Sequence, residues 1–161
     1  MRRILFILSV IAVLASCTER KVYDHYDHTP LSGWDRVDEL SYEVPAIADS
    51  GRYVTTLGLR INETYPFQAL TLIVKHDIYN KVGAKNKPKI IKSFSDTVNC
   101  VLFDNKGTIK GNGISYFQYH YRISEEELKQ GDSLHVSVRH GMRREIIPGI
   151  SDIGISVTRQ K

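Results

Sequence analysis

The strongest constraint on this fold is an alternation. Tyr53, Thr55, Leu57, Leu59 and Ile61 fall on one side of an extended chain, and Val54, Thr56, Gly58 and Arg60 on the other, a period of two rather than the 3.6 of a helix. The same period returns in Leu70, Leu72, Val74 and His76, in Leu134, Val136, Val138 and His140, and in Ile153, Ile155 and Val157. One buried and one wet face is the pattern of antiparallel strands packed on a core from one side. Weaker segments lie between: Val37 to Val44, Ile90 to Phe103 with a suggested bend at Ser93 to Asp96, and the aromatic run Ile114 to Ile123. Turn chemistry separates the segments at Asn62 to Pro66, Asp104 to Gly107, Gly111 to Gly113 and Pro148-Gly149. Such a series without βαβ alternation predicts an all-β chain, a single antiparallel β-sandwich that is immunoglobulin-like or jelly-roll-like. Ser124 with Glu127 reads as a capping box, so at most one short helix is expected, over 124–130.

The 161-residue chain begins differently. Arg2 and Arg3 precede an apolar run from Ile4 to Leu14 broken only by Ser9, the layout of a secretory signal. A membrane-spanning helix needs roughly 20 apolar residues, so this run is a signal core and not an anchor. It ends in Leu14-Ala15-Ser16-Cys17, which resembles the bacterial lipobox, where the cysteine takes a diacylglyceryl thioether and becomes residue one of the mature protein. That predicts a signal peptide at 1–16, a lipidated tether at 17–33 and the β-sandwich domain at 34–161. Palmitate-type chains each gain about 0.8 kcal/mol per buried CH₂, and more than one of them gives stable anchoring. The expected partner is then the membrane itself, reached through Cys17. Cys100 is left without a disulfide partner, and its flanks Val98, Val101 and Leu102 mark it as a small core residue.

Several function classes are excluded. The formal charge of +4 falls to +2 once Arg2 and Arg3 leave, too near neutral for nucleic acid to be a partner. Lys81, Lys85, Lys87, Lys89 and Lys92 form one basic cluster, read as a solvated loop and strand edge. His25 and His28, flanked by aspartates, are of a type that ligates metal, but nothing downstream completes a set, so no metal and no cofactor are expected. There is no nucleophile elbow, phosphate loop or CxxC pair, and His76, His120, His135 and His140 are scattered over separate segments. The expectation is a protein that is not an enzyme. Candidate contacts remain. Tyr116 and Tyr121 could stack on a glycan or peptide, while Phe117 and Tyr119 are expected in the core. Arg143 and Arg144, on a connection between strands, are candidates for touching a partner. Asp152 is expected to hold a turn or bond backbone amides, and Gly154 to admit a close neighbour.

The lipobox, Val22-Tyr23-Asp24, Trp34, Tyr65-Pro66-Phe67 and above all the tail, His140-Gly141-Met142-Arg143 followed by Gly149 to Ile155, resemble the gliding-motility lipoprotein GldH family of Bacteroidetes. The lysine-rich stretch from Lys81 to Lys92 departs from the family pattern. The resemblance implies a cell-envelope lipoprotein without enzymatic activity, required for gliding and the linked secretion machinery, with His140, Gly149, Asp152 and Gly154 as its structural motif. Thr18 is not the aspartate that retains lipoproteins at the inner membrane, and Glu19-Arg20-Lys21 is unlike the acidic surface-export signal. The expected location is therefore the outer membrane, facing the periplasm, among other envelope proteins. The expected role is a non-catalytic accessory component of a gliding, secretion or envelope complex. The alternative is a carbohydrate- or peptide-binding sandwich tethered to the same membrane.

Overall fold

The computed structural model describes residues 20–80 and 88–160. Cys17 and the lysines at 81, 85 and 87 lie outside the described residues. The described chain is built of strands: β1 (Arg20–His28), β2 (Trp34–Asp35), β3 (Leu40–Val44), β4 (Gly51–Asn62), β5 (Ala69–Tyr79), β6 (Ile90–Val101), β7 (Asn112–Gly113), β8 (Tyr116–Leu128), β9 (Ser133–His140), β10 (Ile146–Ile147) and β11 (Ile150–Arg159).

Their pairing is nested. β5 pairs with β6, β4 with β8, β3 with β9 and β1 with β11, each pair but one enclosing the last in sequence, and all antiparallel. This long ribbon then rolls up, laying β11 against β4 and β9 against β5. One sheet runs β1-β11-β4-β8-β7, the other β3-β9-β5-β6, and the short pair β10-β2 stands apart. The protein is an all-β antiparallel sandwich, and the rolled ribbon is the jelly-roll form of it.

The alternating faces meet where the sequence pattern places them. Leu57, Leu59, Ile61, Ile153, Ile155 and Val157 from the first sheet oppose Leu70, Leu72, Val74, Val136 and Val138 from the second, all without exposure. Full burial of such a side chain contributes roughly 1.5–3 kcal/mol. Three large polar aromatics that enter the core find backbone partners. The Tyr42 hydroxyl donates across the sandwich to the Ile153 carbonyl at 2.9 Å, Tyr119 donates to Leu102 at 3.0 Å, and the Trp34 indole to Asp38 at 3.1 Å. Burial pushes the Cys100 thiol up to about 12.

Three expectations are corrected. The segment read as a tether at 17–33 carries β1, a nine-residue edge strand; its polar composition misleads because an edge strand is wet along much of both faces. The capping box at 124–130 forms no helix. β8 runs on to Leu128, because Ser124 to Leu128 pair with Thr55 to Gly51, and a ladder outweighs a single helical turn with its costly nucleus. Lys92 and Arg52 meet Glu126 and Glu125 at 2.6 and 3.3 Å, so the acidic run is absorbed by neighbouring strands. Finally, β6 passes through Ser93 to Asp96 without a break.

Two histidines lie in the interior. His76 is 1% exposed, stacks on Phe94 at 4.7 Å, and has no hydrogen bond to either ring nitrogen. Burial lowers its pKa against the pull of Asp96, Glu126 and Asp77. His140 donates from Nε2 to the Trp34 carbonyl at 3.1 Å, and burial lowers its pKa too. An unfolded histidine titrates near 6.5. Below that pH the unfolded chain binds protons that the folded one refuses, so stability is lost as pH falls. Asp77, held low by Lys75 and Ser93, acts in the same direction only below its unfolded value near 3.9. The melting temperature should therefore drop between pH 7 and 5, with His76→Leu flattening the slope and leaving the pH 7 value equal or higher. Thermal melts across that range check this; a wild-type curve flat from 7 to 5 would contradict it.

Candidate functional site

The outer face of the five-stranded sheet holds an arrangement that alternation alone does not suggest. On β11, Ile153 and Ile155 point inward, so Asp152 and Gly154 point out. Register then lines up two rows across the strands. The first is Tyr26, Gly154, Gly58 and His120; the second is His28, Asp152, Arg60 and Gln118.

In the first row the Tyr26 ring lies over both glycines. A Cβ on Gly154 would sit 2.5 Å from Tyr26 Cδ1, and one on Gly58 2.5 Å from Tyr26 Cζ. Only a pair of facing glycines admits the ring at this depth. Beyond them the Tyr26 hydroxyl accepts from Gln118 Nε2 at 3.3 Å and lies 3.5 Å from His120 Nε2. The Arg60 guanidinium stands 5.8 Å from the ring centroid, close enough for a cation–π contribution.

In the second row a carboxylate is buried on the outside of a sheet. The Asp152 side chain is 4% exposed. Its Oδ2 accepts from Arg60 Nη1 at 3.1 Å, and its Oδ1 lies against His28 Nδ1. These partners compensate a charge that would otherwise be costly to bury. Both line a cleft of about 570 Å³ together with Leu31, Asn62, Tyr116 and Ser151. Gly149, at φ +80°, shapes its floor, since a Cβ there would strike the Tyr65 backbone. The cleft can bind, but its polar groups offer neither a nucleophile paired with a base nor a ligand set for metal.

The candidates read from sequence are dispersed. Tyr116 is exposed at the rim of this cleft, whereas Tyr121 lies on the opposite face of β8, half-buried, with its hydroxyl donating to Val101 at 3.3 Å. The two rings form no common platform. Tyr119 is 6% exposed and Phe117 half-buried. Arg143 and Arg144 are exposed beside Phe67, Thr71 and Met142, in a separate groove of about 500 Å³. His140 is internal, in edge contact with Trp34 at 5.4 Å. Asp152 bonds side chains and not the backbone amides expected of it. His25 and His28, three apart on a strand, point to opposite faces, which prevents them from sharing a metal. Among the described residues no three His, Cys, Asp or Glu side chains cluster as a metal site. No sequence motif joins Tyr26, Gly58 and Arg60; their only sequence signal is that two isolated glycines interrupt the outer faces of two strong strands.

Comparison with known proteins adds a lineage. Residues 21–157 match the family model described as GldH lipoprotein. A protein of Flavobacterium johnsoniae named gliding motility lipoprotein GldH is 24% identical over 158 residues, covering 92% of this chain and 91% of that one. A solved protein structure from Sulfurospirillum deleyianum superposes with a TM-score of 0.50 at 14% identity, covering 86% of this chain and 98% of the other. At that identity the likeness speaks for the fold alone.

Proposed function

This chain belongs to the GldH lipoprotein family, and from that premise we propose that it is a lipid-anchored, non-catalytic accessory component of a gliding, secretion or envelope complex. The observation that carries the reading is the family match over the whole sandwich, joined to a relative named for gliding motility. The lipid is attached at Cys17. The protein lies at the outer membrane and faces the periplasm, where other envelope proteins are its partners.

The geometry of β1 gives that anchor a consequence. β1 begins at Arg20, three residues after Cys17, a reach of about 11 Å at most. The domain is thus held close to the bilayer. The rise along β1, about 27 Å from Arg20 to His28 at 3.4 Å per residue, carries the cleft to the far end of the sandwich. What is presented away from the membrane is the outer-face cleft and the loop bearing Arg143 and Arg144.

Gentle solubilisation of the lipidated protein, cross-linking and mass spectrometry should recover one defined envelope partner. Repeated recovery of the protein alone would count against a subunit role. Protease shaving of intact cells should leave the protein whole, and its loss would contradict the periplasmic orientation.

A further inference from the structure

The cleft keeps side-chain donors free while its backbone carbonyls are already used. The carbonyls of Gly149, Ile150 and Ser151 accept from Asn62 N at 2.9 Å, Thr29 Oγ1 at 2.6 Å and Thr29 N at 3.0 Å. Asp152 Oδ2 accepts from Arg60, and its Oδ1 makes no hydrogen bond and lies against His28 Nδ1. Asn62 Oδ1 accepts both the amide and the hydroxyl of Thr64, at 2.9 and 2.6 Å, which leaves its NH₂ end over. A guanidinium has five N–H donors, and among the described residues Arg60 uses one nitrogen, on Asp152. Donors are therefore left over on Arg60 and on the Asn62 amide, centred on a planar cation that Asp152 and Tyr26 hold in place.

We propose that this cleft captures the C-terminal carboxylate of a polypeptide segment. A carboxylate only accepts, and its two oxygens match the guanidinium fork. Sugar hydroxyls donate as well as accept, and of the acceptors in this lining the three carbonyls and Asn62 Oδ1 are already taken. The apolar part of the ligand has a surface too: Leu31 is 107% exposed and Tyr116 55%, and both stand among the cleft residues. An exposed leucine and tyrosine beside a fixed arginine suit a chain end whose last side chain is apolar. The inference rests on reading the chain as a partner-binding subunit. It adds the chemistry by which a partner is held.

The test uses the full-length chain, nitrogen-15-labelled in detergent micelles, titrated with acetylated pentapeptides ending in Leu or Phe. Each peptide is supplied as the free acid and as the C-terminal amide. The free acids should shift amide resonances of residues 28–31, 60–64 and 149–152, and the amides should bind at least about tenfold more weakly, as expected for loss of a charge-assisted pair. Arg60→Gln should abolish the shifts. Leu31→Asp alters a side chain fully in solvent, so it should keep the melting temperature while weakening the free acids about tenfold. Equal binding of acid and amide, no shift with either, or free-acid binding untouched in both variants would overturn the proposal. Shifts of the same residues by glucuronate and by no peptide would also overturn it. If a partner recovered by cross-linking is retained in full by Arg60→Gln, the carboxylate site falls while the subunit role stands.

Discussion

Valine at position 154 should pull β1 away from the sandwich and cost about 2–3 kcal/mol of stability, the upper range for an overpacked site. The reason is geometric. The Tyr26 ring occupies the space a Cβ would take on Gly154, and on the facing strand the space a Cβ would take on Gly58. It cannot slide sideways onto another residue without meeting a side chain, and lifting off surrenders Arg60, Gln118 and the seat itself. Among the described residues β1 is an edge strand whose one ladder is to β11, so a ring forced outward weakens that strand's seat on the sandwich. A domain of this size should lose on the order of 5–10 °C in melting temperature, and protease cleavage within 20–28 should appear well below the global transition. The partner experiment is Tyr26→Ala, which removes the ring and with it the clash. Combined with Gly154→Val, it should cost clearly less than the two single losses added together. Simple additivity would show that the ring and the glycine are not a unit.

Cys17→Ser should move the protein from the membrane to the soluble fraction and abolish its role in the envelope. A thioether requires the sulfur nucleophile, which serine lacks. A buried sixteen-carbon chain gains on the order of 12 kcal/mol at about 0.8 kcal/mol per CH₂, so on the proposed lipidation at Cys17 the substitution removes the main hold on the mature domain. The fold should be untouched, because β1 starts only at Arg20. Detergent phase partitioning together with a melting curve checks both halves. A variant that melts like the wild type and still partitions with detergent would overturn the assignment of Cys17. A released, folded variant that supports normal envelope function would instead separate the anchor from the role.

Two of the three corrected expectations failed for one reason. Arg20–His28 and Ser124–Leu128 are polar, and locally one resembles a linker and the other a helix start. What makes each of them strand is the neighbour it pairs with, β11 in one case and the start of β4 in the other. Neither neighbour is near in sequence. The buried strands needed no such help, since Leu57, Leu59 and Ile61, or Val136 and Val138, carry their own evidence of a dry and a wet side. Asp152 and Gly154 were visible as unusual residues in the tail, but their partners Arg60, Tyr26 and His28 come from strands far away along the chain. Tyr116 and Tyr121, both candidates for stacking on a ligand, lie on opposite faces of β8, the first exposed and the second half-buried.

Local chemistry was enough to determine the β class, the faces of the strong strands and the burial of Cys100, because each depends on side-chain type and a spacing of a few residues. The sequence also carried the family resemblance, in short motifs that the match over residues 21–157 bears out. The jelly-roll order, the strand character of the polar segments and the donor-rich cleft were decided only in three dimensions. They depend on register between strands separated by up to the length of the domain. Alternation specifies which face a residue takes, but not which strand lies beside it.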